Sequence, residues 1–149
     1  MVTLKVGDPA PSFKGKDQNG NEVSLEQFRG SMLLLYFYPK DDTPGCTAEA
    51  CNIRDNYQEY LDKGYKVLGV STDSEEAHRK FITKYSLPFP LLADENKSVL
   101  KAYGAWGEKK MYGRSYEGVL RKSFVISADG KIEKIIDKVK TNDHTRQIF

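Results

Sequence analysis

The chain has 149 residues, of which 39% are hydrophobic and 30% are charged, and its formal net charge is +2. A chain of this length can bury one continuous core, so we expect residues 1–149 to form a single domain. The small net charge gives no reason to expect nucleic acid or a membrane surface as a partner. The sequence shows neither the apolar run of a membrane-spanning helix nor the layout of a signal peptide, which makes the cytoplasm the default compartment.

The N-terminal part of the chain predicts a β-hairpin followed by a short helical turn. Residues 13–24 alternate polar and apolar side chains around Asn19-Gly20, a dipeptide typical of two-residue hairpin turns. Ser24 and Gln27 then have the spacing of a capping box, which predicts a helical turn that ends at Gly30.

Two buried strands with a helix between them are predicted next. The run 32–38 is almost entirely apolar, as expected of a strand that is covered on both faces. Thr43 has the character of a helix N-cap with Pro44 in the first helical position, so we expect a helix from Pro44 to about Lys63. The apolar run 65–71 predicts the second buried strand.

The second half of the chain continues the alternation and then closes with a hairpin. The predicted elements are a helix at 74–85, a strand at 89–93, a helix at 96–103, a hairpin of strands 120–127 and 132–137, and a last helix that starts near Asn142. This order predicts an α/β fold with a mostly parallel sheet and antiparallel additions, as in a thioredoxin-like core. Trp106 is expected in a loop that covers a core edge, and His78 in an exposed helix.

The most informative feature of the sequence is its pair of cysteines, Cys46 and Cys51. If Thr43 caps the helix, Cys46 is the third helical residue, where unpaired backbone N–H groups and the helix dipole favour a thiolate. A hydrogen bond from the Thr43 hydroxyl would favour it further. An arginine is also expected near the sulfur, and Arg54, Arg114 and Arg121 are the candidates.

The spacing of the two cysteines has a mechanical consequence. Residues i and i+5 of an ideal helix have Cα atoms about 8.6 Å apart and point to different faces. A disulfide needs Cα atoms within about 7 Å of each other. A bond between Cys46 and Cys51 would therefore require the first turn of the helix to unwind, which is typical of a cycling redox pair.

Several other interpretations of the two sulfurs compete with this one. Cys51 alone could be a small apolar core residue. A zinc site lacks neighbouring histidines, and a Cys–His protease lacks a local histidine base. A thioredoxin-like disulfide oxidoreductase would favour a Cys-x-x-Cys pair. A redox-switched binding protein or holdase stays open as a second role.

The residues around the cysteines also resemble a known family. The pattern Pro39-x-x-x-Thr43-x-x-Cys46 is similar to the active-site signature of the peroxiredoxins. The wider run 37–51 resembles the bacterioferritin comigratory protein, or peroxiredoxin Q, subfamily. The resemblance covers nearly the whole chain and includes the segments 6–13, 67–71, 103–108, 121–126 and 129–132.

This resemblance implies a thioredoxin-like fold and a thiol-specific peroxidase that reduces hydrogen peroxide and organic hydroperoxides in antioxidant defence. It implies that Cys46 is the peroxidatic cysteine and Cys51 the resolving cysteine. Thr43 would bind the thiolate and the peroxide, Pro39 would shield the site from water, and Arg121 would stabilise negative charge. The implied reductant is a thioredoxin-like dithiol, with no metal, haem or flavin. An intramolecular disulfide makes a monomer the default.

Overall fold

The computed structural model describes residues 3–149. Its strands are β1 Lys14–Asp17, β2 Glu22–Ser24, β3 Met32–Phe37, β4 Tyr65–Ser71, β5 Leu91–Ala93, β6 Trp106–Met111, β7 Arg114–Val119, β8 Lys122–Ile126 and β9 Ile132–Ile136. Its helices are α1 Pro44–Asp55, α2 Tyr57–Asp62, α3 Glu75–Tyr85, α4 Ser98–Ala102 and α5 His144–Ile148, with a 3₁₀ turn at Leu25–Phe28. None of these helices within residues 3–149 has the length and apolar character needed to traverse a bilayer.

A mixed seven-stranded sheet forms the centre of the molecule, in the order β2-β1-β5-β4-β3-β8-β9. The pairs β3–β4 and β4–β5 are parallel, whereas β1–β2, β1–β5, β3–β8 and β8–β9 are antiparallel. The expectation of a mostly parallel sheet is therefore wrong. Most strand pairs are antiparallel, because the β1–β2 and β8–β9 hairpins form the two edges of the sheet. The predicted mixed architecture and the N-terminal hairpin are confirmed.

The central strand β3 divides the core into two layers. Leu33, Leu35 and Phe37 point to one layer, whereas Leu34 and Tyr36 point to the other. All five side chains are fully buried. The alternation follows from the two-residue period of a strand, and the continuous apolar run follows from burial of both faces. The layer that contains Leu34 and Tyr36 also contains Cys46 of α1. The predicted peroxidatic cysteine therefore packs against the sheet.

The predicted helix from Pro44 to Lys63 is interrupted at Asn56. This residue has φ −108° and ψ 13°, and it separates α1 from α2. The Asn56 side chain donates to the carbonyl of Asn52 at 2.8 Å, and the Asn56 amide donates to the same carbonyl at 3.3 Å. Asparagine favours such local side-chain bonds over a continuing helix. The expectation of one uninterrupted helix is wrong.

Two expectations about single side chains are also wrong. Trp106 lies in β6, which pairs with β7 as a separate two-stranded hairpin, and not in a loop. The connection is the dipeptide Tyr112-Gly113, whose φ angles of 51° and 77° suit a two-residue hairpin turn. His78 is fully buried rather than exposed, because α3 turns it toward the sheet.

The capping box predicted at Ser24 and Gln27 does not form. Ser24 makes no side-chain capping bond, and Gln27 donates to the Glu22 carbonyl at 3.1 Å instead of completing a capping box. The first hairpin forms, but its connection is longer than two residues, because Lys16 pairs with Glu22. At the start of α3, by contrast, the Ser74 side chain is an N-cap that accepts from the Ala77 amide at 3.1 Å.

Candidate active site

The loop between β3 and α1 places Cys46 in the first turn of α1. Thr43 is the N-cap of α1 with φ −98° and ψ 156°, Pro44 is the first helical residue and Cys46 the third. The first helical hydrogen bond runs from the Thr47 amide to the Thr43 carbonyl at 2.8 Å. The preceding amides, including that of Cys46, belong to the first turn, whose N–H groups have no carbonyl partner inside the helix. A negative charge on the sulfur is stabilised in this position.

The Thr43 side chain takes a different partner from the one expected. Its hydroxyl donates to the Lys40 carbonyl at 2.8 Å, and it makes no side-chain capping bond to α1. The turn at Asp42, with φ 57°, brings that carbonyl back toward Thr43. In this reduced structure the expected bond from Thr43 to the Cys46 sulfur is therefore absent from the described part of the chain. Pro39, half-buried, lies at the start of the same loop.

Arg121 is the candidate arginine that contacts the sulfur. Its Nη2 donates to the Cys46 Sγ at 3.3 Å. The sheet register explains this position, since Phe37 pairs with Lys122, and Arg121 therefore stands beside the loop that follows β3. The other two candidates lie elsewhere: Arg54 donates to the Tyr85 carbonyl at 2.8 Å, and Arg114 begins β7 with an exposed side chain.

A buried glutamate completes the contact with Arg121. The Glu49 Oε1 accepts from Arg121 Nη1 at 2.7 Å, and the Glu49 side chain has no exposed surface. One guanidinium thus joins the Cys46 sulfur to a carboxylate through two of its nitrogens, an arrangement suited to the planar fork of arginine. Burial raises the pKa of Glu49 to about 7, although the nearby Arg121 charge and hydrogen bond act to lower it.

The second oxygen of Glu49 faces α5. Oε2 has no hydrogen-bond partner and lies 3.5 Å from the Nε2 of His144. Nδ1 of this histidine contacts the Gln147 Oε1 at 2.8 Å, and Nε2 contacts the Ser123 hydroxyl at 2.7 Å. An amide oxygen can only accept, so Nδ1 carries the proton and Nε2 accepts from the serine. Burial lowers the pKa of His144, which agrees with this neutral form.

Gly45 permits the close approach of Arg121 to the helix start. A Cβ atom at this position would lie 3.3 Å from the Arg121 Nη2, which is tighter than nearly all such contacts. A side chain here would force the guanidinium to move. The Thr-Pro-Gly sequence before Cys46 therefore combines the cap, the first helical residue and the space for the arginine.

Cys51 lies in the same intact helix as Cys46, and both are free thiols. Cys51 is half-buried, whereas Cys46 is 1% exposed. The next residue, Asn52, anchors α5: its side chain donates to the Asn142 carbonyl at 3.2 Å and accepts from the Thr145 amide at 2.8 Å. The geometric mismatch inferred from the five-residue spacing therefore applies to this structure, since α1 is helical from Pro44 to Asp55.

Sequence reasoning did not find Glu49 or His144. Glu49 stands between two alanines in a helix, which is ordinary for an exposed carboxylate. Its offset of three residues from Cys46 was the available signal, because residues i and i+3 share a helix face. No comparable signal pointed to His144, since its proximity depends on how the chain returns after β9.

Comparison with known proteins identifies the family of the chain. Residues 6–135 match the model of the AhpC/TSA family. Peroxiredoxin Bcp from Escherichia coli (strain K12) is 49% identical over 144 residues, covering 97% of this chain and 92% of the relative. Peroxiredoxin Bcp from Bacillus subtilis (strain 168) is 40% identical over 146 residues, covering 98% and 93%. The chain belongs to the AhpC/TSA family of peroxiredoxins.

Solved peroxiredoxin structures show the same fold. A cysteine-to-serine mutant of PrxQ from Xylella fastidiosa superimposes with a TM-score of 0.92 at 28% identity, covering 99% of this chain and 94% of the other. The bacterioferritin comigratory protein of Xanthomonas campestris gives a TM-score of 0.86 at 34% identity, covering 91% and 87%. The predicted thioredoxin-like fold and the resemblance to the peroxiredoxin Q subfamily are confirmed.

Proposed function

We propose that this peroxiredoxin reduces peroxides at the sulfur of Cys46 and closes its catalytic cycle through a disulfide with Cys51. The observation that carries the proposal is the guanidinium of Arg121, which contacts the Cys46 sulfur at 3.3 Å and the buried Glu49 at 2.7 Å. The peroxidase activity also follows from membership of the family, whose relatives here are named peroxiredoxins. A thioredoxin-like dithiol is the corresponding reductant.

The proposed first step is attack of the Cys46 thiolate on one oxygen of the peroxide. The S–O bond forms while the O–O bond breaks, and the leaving oxygen takes a proton to become water or an alcohol. The cysteine is oxidised to a sulfenic acid and the peroxide is reduced. Arg121 stabilises the charge on the sulfur and on the leaving oxygen, because its guanidinium is already oriented by Glu49.

We assign Thr43 and Pro39 to the peroxide side of the site. Thr43 is the N-cap beside the first turn of α1, where its hydroxyl would leave the Lys40 carbonyl to bind the peroxide. Pro39 begins the same loop and lacks an N–H group, so it would exclude water without adding a donor. Organic hydroperoxides join hydrogen peroxide as proposed substrates, since a relative from Xanthomonas campestris is described by its alkyl peroxide reduction activity.

The proposed second step joins the two cysteines. The thiol of Cys51 attacks the sulfenic sulfur, the S–S bond forms, and water leaves with the sulfenic oxygen. The helix from Pro44 to Asp55 holds the two Cα atoms too far apart for this bond, so its first turns have to unwind. A dithiol reductant then reduces the disulfide and the helix reforms.

Peroxide consumption coupled to thioredoxin and thioredoxin reductase tests this assignment. We expect Cys46→Ser to abolish turnover. We expect Cys51→Ser to keep one fast oxidation of Cys46 and to lose thioredoxin-driven cycling, because the sulfenic acid has no partner. Mass spectrometry of the oxidised wild type should find an intrachain bond between the two cysteines. Full peroxidase activity in Cys46→Ser would disprove the assignment.

We also propose that residues 1–149 form one domain that acts as a monomer in the cytoplasm. The two layers of buried side chains share β3, which supports a single folding unit. An intramolecular disulfide needs no sulfur from a second chain. Sedimentation equilibrium of the reduced and oxidised forms measures the oligomeric state, and a dimer at micromolar concentration would contradict the monomer.

A further inference from the structure

A second cluster of buried polar side chains holds the loop of residues 39–43 through Asp41. Its centre is Asp41, 9% exposed, and His78, fully buried on α3. Buried ionisable side chains are costly unless they are paired and hydrogen-bonded. No step of the proposed reaction uses these two residues, so their burial needs another explanation.

Asp41 is held through its backbone and through both carboxylate oxygens. Its amide donates to Asp73 Oδ2 at 2.9 Å, and its Oδ1 accepts from the Tyr38 hydroxyl at 2.5 Å. Asp73 is held in turn by the Ser71 hydroxyl at 2.6 Å. Burial raises the pKa of Tyr38 well above its ordinary value, so the tyrosine keeps the proton that it donates. The other carboxylate oxygen of Asp41 contacts the Nδ1 of His78 at 2.6 Å.

The ring of His78 connects this carboxylate to the sheet. Its Nε2 lies 3.0 Å from the Leu92 carbonyl on β5. A carbonyl oxygen can only accept, so Nε2 carries a proton and the ring orientation is fixed. The remaining contact, between Nδ1 and Asp41, is a hydrogen bond with one proton between the two groups. His78 is therefore a rigid link from β5 to the loop.

The loop has a second connection to the same helix, at Asp42. This residue adopts φ 57°, a left-handed conformation that is unfavourable for most side chains. Its carboxylate accepts from the Lys84 ammonium at 2.8 Å and from the Tyr85 hydroxyl at 2.7 Å. Both partners lie at the C-terminal end of α3, so the helix contacts two consecutive loop residues.

A metal site is the competing interpretation of the cluster, because ligand atoms of Asp41, Asp73 and His78 lie within 4.8 Å of one another. Both nitrogens of His78 already face acceptors, and both carboxylate oxygens of Asp41 already have partners. A cation would have to displace these bonds. The hydrogen bonds account for every polar atom of His78 without a cation.

We infer that His78 is a positioning residue for the peroxide reaction, which acts through Asp41 to hold the loop that carries Pro39 and Thr43. The inference rests on the proposed function, since it takes Pro39 and Thr43 as the peroxide side of the site. His78 does not touch the sulfur, so its loss should impair the reaction with peroxide and leave the intrinsic reactivity of Cys46 almost unchanged.

Two substitutions of His78 form a matched pair. His78→Asn places its amide nitrogen where Nδ1 lies and keeps a donor for Asp41, whereas His78→Gln places its amide nitrogen near Nε2 and keeps only the bond to the Leu92 carbonyl. Both are neutral amides in the same buried position. For each protein, rapid-quench mass spectrometry measures the rate constants for oxidation of Cys46 by hydrogen peroxide and for its alkylation by iodoacetamide, which needs no peroxide site.

We expect His78→Gln to slow oxidation by peroxide about tenfold or more, the scale of a small misplacement of reacting groups. We expect alkylation within about twofold of wild type, and oxidation of His78→Asn within about threefold. Should His78→Gln fail to fold, Asp41→Ala cuts the same link from the loop side and should show the same selective loss.

Three results would overturn the inference. One is oxidation of the folded His78→Gln protein at the wild-type rate, and another is an equal loss in both histidine variants. The third is a parallel fall of the oxidation and alkylation rates, which indicates a purely structural role. If wild-type Cys46 itself does not react with peroxide, the proposed function fails instead, and the two failures are thereby distinguished.

Discussion

Substitution of Glu49 by glutamine should remove a specific part of the pH dependence of folding. Burial raises the pKa of this carboxyl from 4.5 to about 7, against the opposing effect of Arg121. Such a shift corresponds to about 3 kcal/mol of free energy of unfolding, and the group is fully buried, so solvent screening does not reduce the figure. Glutamine keeps the size and the oxygen that Arg121 binds but does not titrate.

The sign follows from the direction of the shift. The folded chain binds this proton more tightly than the unfolded chain does, so the stabilisation is fully present below pH 4.5 and is lost as the pH rises through about 7. Burial lowers the pKa of His144, which acts in the opposite direction. His144 lies 3.5 Å from the Glu49 Oε2, so the difference between wild type and Glu49→Gln measures the titration of the carboxyl together with its coupling to this histidine.

Urea unfolding of the reduced proteins at pH 5, 6, 7 and 8 measures the effect. The free energy of unfolding of wild type should fall by about 2–3 kcal/mol more than that of Glu49→Gln over this range. Glu22→Gln, at an exposed carboxylate, is the control and should follow wild type. A constant difference between wild type and Glu49→Gln at all four values would refute the raised pKa and the reasoning from burial.

Three further outcomes are expected. Gly45→Ala should slow oxidation of Cys46 by peroxide about tenfold while the melting temperature is maintained, because the new Cβ displaces Arg121 and alanine is a good helix former; an unchanged rate constant in stopped-flow would contradict this. Arg121→Lys should lower the same rate constant about a hundredfold, since an ammonium cannot reach both the sulfur and Glu49, and a near-normal rate would show that charge alone suffices. Amide exchange of residues 46–53 should be faster in the disulfide form, and equal protection in both forms would argue against unwinding.

Much of the fold could be predicted because its determinants are local. The strands 32–37 and 65–71 are continuous apolar runs, and the cap, the proline and the glycine before Cys46 together mark the start of α1. The hairpin of β6 and β7 was missed because its strands are rich in charges and β7 is mostly exposed, so they carry little apolar alternation. A hairpin that buries little apolar surface shows little apolar alternation in its sequence.

A site residue could be predicted only where its own side chain and its sequence neighbours indicated its role. Cys46 was identifiable from its neighbours, and Arg121 was one of three arginines until the register of β3 and β8 selected it. His78 was misjudged because charged residues surround it in the sequence, although it shares the buried face of α3 with Phe81, three residues later. Glu49 was overlooked because its burial depends on packing between α1 and α5, which is not encoded in the local pattern.

The interruption at Asn56 has a consequence for how the active-site helix can open. Helix melting is cooperative, and in one continuous helix from Pro44 to Asp62 disorder at the first turn would tend to spread. Here α2 has its own beginning after Asn56, and its fully buried Tyr60 packs against Phe149 with ring centroids 4.9 Å apart. If α1 unwinds from Cys46 as proposed, we expect the loss of order to stop at Asn56, so that α2 stays folded as a template on which α1 can reform after each turnover.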